Sequence, residues 1–271
     1  MLAVAAQRGW KLRLFDVKTA FLNGQLEEDL YMKQPEGFAD QTDRVCKLHR
    51  SIYGLKQSLK CWFQCLTDFL EEIGMKASSA DPCMYYLEQK QYEDEDLVLC
   101  FHVDDGLLLR VETMLDEFLQ KLAVRFEVIV SDIDNYLGMQ IKVNDDGAIE
   151  ISQTAKIVKL LKRYGMSDAN PVKLPIEPGW WPGDSPLLDD KTGYREVIGS
   201  LLYLTQWMRP DIAFAVNVAS RAQDAPTQAH QQLTKRIMRY LKGTRDDCIC
   251  FETHETDNID AYSDADMLVT R

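Results

Sequence analysis

Residues 97–110 constrain this chain more than any other stretch. The apolar run LVLCFHV stops at Asp104-Asp105-Gly106 and resumes as Leu107-Leu108-Leu109. Two short apolar runs around a polar break with glycine predict a β-hairpin with a tight Asp-Asp-Gly turn. Flanks this apolar imply a sheet that is buried. The adjacent carboxylates at the tip then need a reason. A solvated turn would supply one. A divalent cation would supply another, because it offsets both their mutual repulsion and the cost of taking charge out of water. Oxygen ligands of this kind suit Mg²⁺ or Mn²⁺. The residues alone leave both readings open. A third carboxylate, Asp16, interrupts a second apolar strand. That strand is expected over Lys11 to Phe21, with Leu12, Leu14 and Asp16 on one face by alternation.

Around these strands the pattern is mixed and points to an α+β fold. Leu59, Trp62, Phe63, Leu66, Phe69, Leu70 and Ile73 make one apolar stripe, predicting a helix over 55–73 that ends near Gly74. Met114, Leu115, Phe118, Leu119, Leu122 and Phe126 predict another. A second hairpin is expected from YLGMQIKV, the turn Asn144 to Gly147 and AIEIS, followed by a helix over Gln153 to Tyr164. Residues 170–190 hold Pro171, Pro175, Pro178, Pro182 and Pro186 and read as an irregular linker. Beyond it, helices are expected over 194–208, 211–222 and 227–242, with Pro210 and Pro226 as starts. Short strands are expected near 248–252 and 259–263.

Charge and cysteine content narrow the function classes. Net charge is −12, which argues against nonspecific binding to a polyanion. Two stretches depart from this balance. Residues 44–60 carry Arg44, Lys47, Arg50, Lys56 and Lys60, and residues 229–245 carry Lys235, Arg236, Arg239, Lys242 and Arg245, neither with an acid. Each could track phosphates or be a solvated face. The seven cysteines include no CxxC pair. Cys61 and Cys65 lie one helical turn apart but have no second pair at zinc spacing, so reduced thiols are the expectation. No apolar run is long enough to span a membrane, and none is expected as a partner.

Set side by side, these segments resemble the reverse transcriptase of Ty1/copia-type retrotransposons. FDVKTAFLNGQLEEDLYMKQPEGF (15–38) is similar to the first palm motif of that family. VCKLHRSIYGLKQSLKCWF (45–63) resembles the motif that packs under template and incoming nucleotide. FHVDD (101–105) is similar to the Tyr-x-Asp-Asp hairpin, with His102 where the family usually has tyrosine. GSLLYLTQWMRPDIAFAVNVASR (199–221) and RIMRYLKGT (236–244) resemble the helical connection, and YSDAD (262–266) the first strand of ribonuclease H. The motifs run through nearly the whole chain in the family's order.

The resemblance implies a reverse-transcriptase palm with an antiparallel sheet backed by helices over 1–165, and a proline-rich linker over 166–190. A helical connection over 191–256 and the start of a ribonuclease H-like domain over 257–271 would follow. It implies RNA-directed DNA polymerase activity with two Mg²⁺ or Mn²⁺ ions. Asp16 and Asp104 would be the metal ligands and Asp105 the supporting catalytic carboxylate. Phe21 would be a steric gate against ribonucleotides. Tyr53, Gly54, Lys56 and Gln57 would contact substrate, and Asp264 would be a ribonuclease H remnant. Template-primer and deoxynucleotide triphosphates would be the partners, inside the cell in a virus-like particle. The family's fingers region would lie upstream of residue 1, so the chain reads as a Pol polyprotein fragment lacking other Pol segments. The alternative is a catalytically inactive remnant or nucleic-acid-binding module.

Overall fold

The computed structural model describes residues 1–87, 97–131 and 133–253. Asp264 and the strand expected at 259–263 lie outside them. The chain opens with α1 (Leu2–Arg8), closed by Gly9 at φ 61°, the left-handed cap that glycine accepts without strain. Then come β1 (Lys11–Val17), a 3₁₀ turn over Ala20–Asn23, the hairpin β2 (Gln25–Lys33) and β3 (Val45–Arg50), and α2 (Ser58–Glu72). β4 (Lys76–Ala77), β5 (Met84–Leu87), β6 (Leu97–His102) and β7 (Asp105–Arg110) lead into α3 (Glu112–Arg125). After them lie β8 (Val128–Ser131), β9 (Asn135–Tyr136), β10 (Met139–Val143), β11 (Ile149–Ser152) and α4 (Thr154–Arg163). The helices α5 (Lys191–Trp207), α6 (Ala213–Ser220) and α7 (Gln228–Gly243) and the strand β12 (Ile249–Phe251) complete the described chain.

Six strands pair antiparallel in the order β4-β5-β6-β7-β1-β8. β1 enters the middle of this sheet although it comes first in sequence, because its apolar residues alternate to both faces. Phe15 and Val17 join Leu99, Phe101 and Leu108 beneath α2 and α3, where Trp62, Leu66, Leu70, Leu115 and Leu122 are buried. Leu12, Leu14, Leu107 and Leu109 point the other way. They pack with Ala5 and Ala6 of α1 and with Tyr136, Met139, Ile141, Ile149 and Ile151 of a second, four-stranded sheet, ordered β12-β11-β10-β9. The fold is therefore mixed, with antiparallel sheets backed by helices. Burying both faces explains why β6 and β7 read as continuous apolar runs.

The helices α4 to α7 form a separate core around Ile198, Leu201, Ile212, Val216, Ile237 and Leu241. Here the structure refines two expectations. Residues 170–190 are largely irregular, but they are not slack. Their carbonyls at Asn170 and Leu174 accept from Arg239 Nε (2.6 Å) and Arg236 Nε (3.1 Å), and Gln228 N donates to Pro186 O (2.8 Å). Ile176, Trp180 and Leu188 pack on the helical core, with the Trp180 ring edge-on to His230. Two arginines of the second basic stretch thus hold backbone, and Arg236 also pairs with Glu177. Their guanidinium groups are committed within the protein, which weakens the reading of 229–245 as a phosphate track. The other expectation concerns Pro226, which precedes the cap of α7. The capping residue is Thr227, in a reciprocal box with His230.

Candidate active site

The hairpin that carries Asp104 and Asp105 is tighter than its sequence suggests. His102 pairs with Asp105 and Phe101 with Gly106, so only Val103 and Asp104 make the turn. The expected Asp-Asp-Gly turn is corrected accordingly. Asp105 and Gly106 belong to β7, and glycine serves packing instead. A Cβ at Gly106 would fall 2.7 Å from Phe15 Cε2 and closer still to two other ring carbons. Val103 takes the left-handed conformation, φ 60°, which a β-branched residue adopts only against strain. The register sets His102 opposite Asp105 across the strand pair.

Asp16 lies directly opposite Asp105 in the β1–β7 register. Opposed residues of an antiparallel pair project from the same face, roughly 5 Å apart at Cβ. Val17 N donates to Asp104 O at 2.9 Å, tying the end of β1 to the hairpin tip. The three aspartates are thus brought together where β1 meets the turn. Their electrostatics agree. Partial burial raises the Asp16 carboxyl above the ordinary range, and the charge of Asp104 adds to it. Asp105 is raised first by burial, then by Asp104 and Asp16, with His102 opposing. Nearby, burial pushes the Tyr136 phenol far up, and Asp105 contributes.

The remaining candidates sit on neighbouring elements. The strand expected to run to Phe21 ends at Val17, because Thr19 turns the chain at φ 49°. Phe21 therefore sits in the 3₁₀ turn, half-buried, with its ring edge-on to Tyr53 at 4.6 Å between centroids. Ser51, fully buried, donates from Oγ to Phe21 O and from its amide to Gly24 O at 3.0 Å. Gly54 has φ 94° and open space around it, so the backbone conformation is what calls for glycine. Lys56 is exposed. Gln57 precedes α2 and donates to Glu28 Oε2 at 3.4 Å. In the sequence Trp62 is one member of the α2 apolar stripe and of the 45–63 motif, with no role of its own. In the structure it is buried, and its indole Nε1–H donates to Val103 O at 2.5 Å. The available signal was a polar N–H at a position facing the sheet, since a buried indole needs an acceptor.

Among the described residues no group of three or more His, Cys, Asp or Glu side chains is placed to hold a metal ion, and all seven cysteines are free thiols. The zinc reading of Cys61 and Cys65 gains nothing. The aspartates still fit a hard cation in another way. Mg²⁺ is commonly held by one or two carboxylates, with waters and substrate phosphates completing its shell. Three carboxylates with nearby charge of one sign, two of them raised in pKa, are a donor set that a cation would relieve. No helix among the described residues is long and apolar enough to cross a membrane.

The raised carboxyls have a consequence for stability. A carboxyl whose folded pKa exceeds its unfolded value binds its proton more tightly in the native state. Stability is then lost as pH rises from the unfolded value, about 3.9, through the folded one. Asp105→Asn is expected to be more stable than the wild type at pH 7, by about 0.5 kcal/mol once solvent screening is allowed for. The difference should vanish below about pH 3.5, where both residues are neutral. Urea titrations at the two pH values check this. Equal stability at pH 7 would show that neither burial nor the neighbouring carboxylates penalise the charge on Asp105.

Comparison with known proteins gives this geometry its setting. Residues 1–178 match the family described as reverse transcriptase (RNA-dependent DNA polymerase). The chain is similar to the retrovirus-related Pol polyproteins from transposons RE1 and RE2 of Arabidopsis thaliana, at 38% and 37% identity. Each match covers 98% of this chain and 18% of the polyprotein. A putative transposon Ty5-1 protein of Saccharomyces cerevisiae is 30% identical over 92% of this chain and 82% of its own length. The chain thus spans less than a fifth of the first two relatives and most of the third. The match takes in both aspartate-bearing strands and the hairpin, and the relatives span the helical core as well. The chain belongs to the reverse transcriptase family, of the kind carried by Ty1/copia-type retrotransposon Pol polyproteins.

Proposed function

We propose that this chain is the polymerase segment of a Ty1/copia-type Pol polyprotein, adding deoxynucleotides to a primer 3′-OH on an RNA or DNA template. The observation that carries the reading is the register that sets Asp16 opposite Asp105 with Asp104 at the adjoining turn, in a chain of this family. In this reading the six-stranded sheet with α2 and α3 is the palm, within 1–165. Residues 166–190 join it to the helical connection at 191–256, and 257–271 begin a ribonuclease H-like domain in which Asp264 is a first ligand. Particle-borne synthesis inside the cell belongs to the same proposal.

Asp16 and Asp104 are the residues that would hold Mg²⁺ or Mn²⁺, with Asp105 supporting them. Such ions supply charge stabilisation to the attacking and leaving oxygens of phosphoryl transfer. The chain's own residues orient the reactants, and in this class of reaction positioning is most of what a protein contributes. Phe21, held by Ser51 and steadied by Tyr53, is the wall that a ribose 2′-OH would strike. Gly54 leaves room for close approach of the nucleotide, Lys56 offers charge to phosphate, and Tyr53 and Gln57 are further substrate contacts in this reading.

The test is extension of a DNA primer on an RNA template with Mg²⁺ or Mn²⁺. Template-directed incorporation is expected, slow because the chain carries net charge −12 into a polyanion. A folded chain that binds primer–template and incorporates nothing would sink the proposal. Phe21→Ala should then raise ribonucleotide use relative to deoxynucleotide by about tenfold or more, since a pocket wall is lost. Unchanged selectivity would return Phe21 to a packing role.

A further inference from the structure

We infer that Trp62 is a positioning residue, whose indole N–H holds the Val103–Asp104 turn in the conformation that sets Asp104 beside Asp16. The inference rests on the polymerase reading for its purpose but stands on its own geometry. Two successive carbonyls at the hairpin tip are each taken from a different side. Val103 O accepts from Trp62 Nε1 at 2.5 Å, and Asp104 O accepts from Val17 N at 2.9 Å. The second bond comes from β1, the strand that carries Asp16. The first comes from α2, on the helical side of the sheet. Together they fix the two peptide planes of the turn.

The turn needs holding. Val103 lies at φ 60°, a region that branched side chains avoid. A Val-Asp turn has none of the glycine or asparagine that normally stabilises a two-residue hairpin. Left to its own preference, Val103 would relax to negative φ and swing the following peptide, and Asp104 with it. The indole opposes that relaxation, because a buried N–H that loses its acceptor is costly. Trp62 is itself immobilised. It is 1% exposed and meets Phe126 edge-on at 5.3 Å, and Phe126 meets Phe69 in the same way at 5.4 Å. Strain in a turn next to the carboxylates, resisted by one buried donor, is the arrangement expected where precise placement outweighs local stability.

The experiment compares the full chain with Trp62→Phe, Val103→Gly and the double variant. Phenylalanine keeps a buried ring and removes the N–H. Glycine accepts positive φ without strain, so it should make the clamp unnecessary. The first readout is the sign of the Val103 φ, from the amide–Hα coupling constant taken together with the strong intraresidue amide–Hα NOE that a left-handed residue gives. The second is Mn²⁺ affinity, read from free Mn²⁺ by electron paramagnetic resonance. In Trp62→Phe, Val103 should leave the left-handed region and Mn²⁺ affinity should fall roughly fivefold, the worth of about one neutral hydrogen bond. Val103→Gly in the Trp62→Phe background should restore that affinity, which simple loss of core packing would not allow. Trp62→Phe that folds with Val103 unmoved and Mn²⁺ affinity intact would overturn the inference, as would a double variant no better than Trp62→Phe. If the wild type fails to bind Mn²⁺, or binding survives Asp104→Asn, the cation reading fails. The Val103 φ readout still decides whether Trp62 holds the turn.

Discussion

Gly106→Ala is expected to cost roughly 3 kcal/mol of stability, at the upper end for an overpacked core. Gly106 lies between Phe15 on β1 and Phe101 on β6, both buried against α2 and α3. A methyl group at this position collides with the distal carbons of the Phe15 ring, so the whole ring must move. The ring packs on Phe118 at 6.3 Å between centroids and is 3% exposed, so it has nowhere to go without opening the core. The damage reaches the site as well, because Asp16 follows Phe15 and Asp105 precedes Gly106. Thermal unfolding should show a midpoint lowered by roughly 10 °C. Phe15→Leu in the Gly106→Ala background should recover part of the loss, since the two residues share one space. A variant within about 0.5 kcal/mol of the wild type would show that glycine is not needed for close packing.

That glycine marks where sequence reading ran out. The apolar runs at 97–103 and 107–109 made the hairpin legible, as the alternation of Leu12, Leu14 and Asp16 did for the face of β1. Register was not legible. Asp-Asp-Gly is good turn chemistry, and only tertiary packing reveals that the turn is Val103-Asp104 with glycine clearing an aromatic ring. The same limit hid the β2–β3 hairpin and the short strands β4 and β5, whose residues lack strong alternation. It also hid the engagement of 170–190. Proline content correctly signals irregular backbone, but says nothing about the arginines of α7 that capture its carbonyls. The aspartates stood out singly as carboxylates in apolar strands, but only the family resemblance grouped them as a site, since Asp-Asp-Gly also suits a solvated turn. Trp62 did not stand out, because a tryptophan in a helix stripe looks like core until its N–H is traced to an acceptor.

Asp104→Asn is expected to leave the fold intact and to lower nucleotide incorporation by about 10³-fold, the scale seen when one preorganised charge-stabilising group is removed. Asparagine keeps the shape of the side chain at a turn position that tolerates it. It removes one negative charge from the group that raises Asp16 and Asp105. A stability no lower than that of the wild type, with activity lost, is the signature of a residue kept for chemistry at some expense to the fold. The decisive measurement is single-turnover extension of a DNA primer on an RNA template, with protein in excess and Mg²⁺ or Mn²⁺ present, comparing the wild type with Asp104→Asn. The account predicts slow, template-directed and cation-dependent incorporation by the wild type and none detectable with the variant. Equal incorporation by both proteins, or none by a folded wild type that binds primer–template, would contradict it.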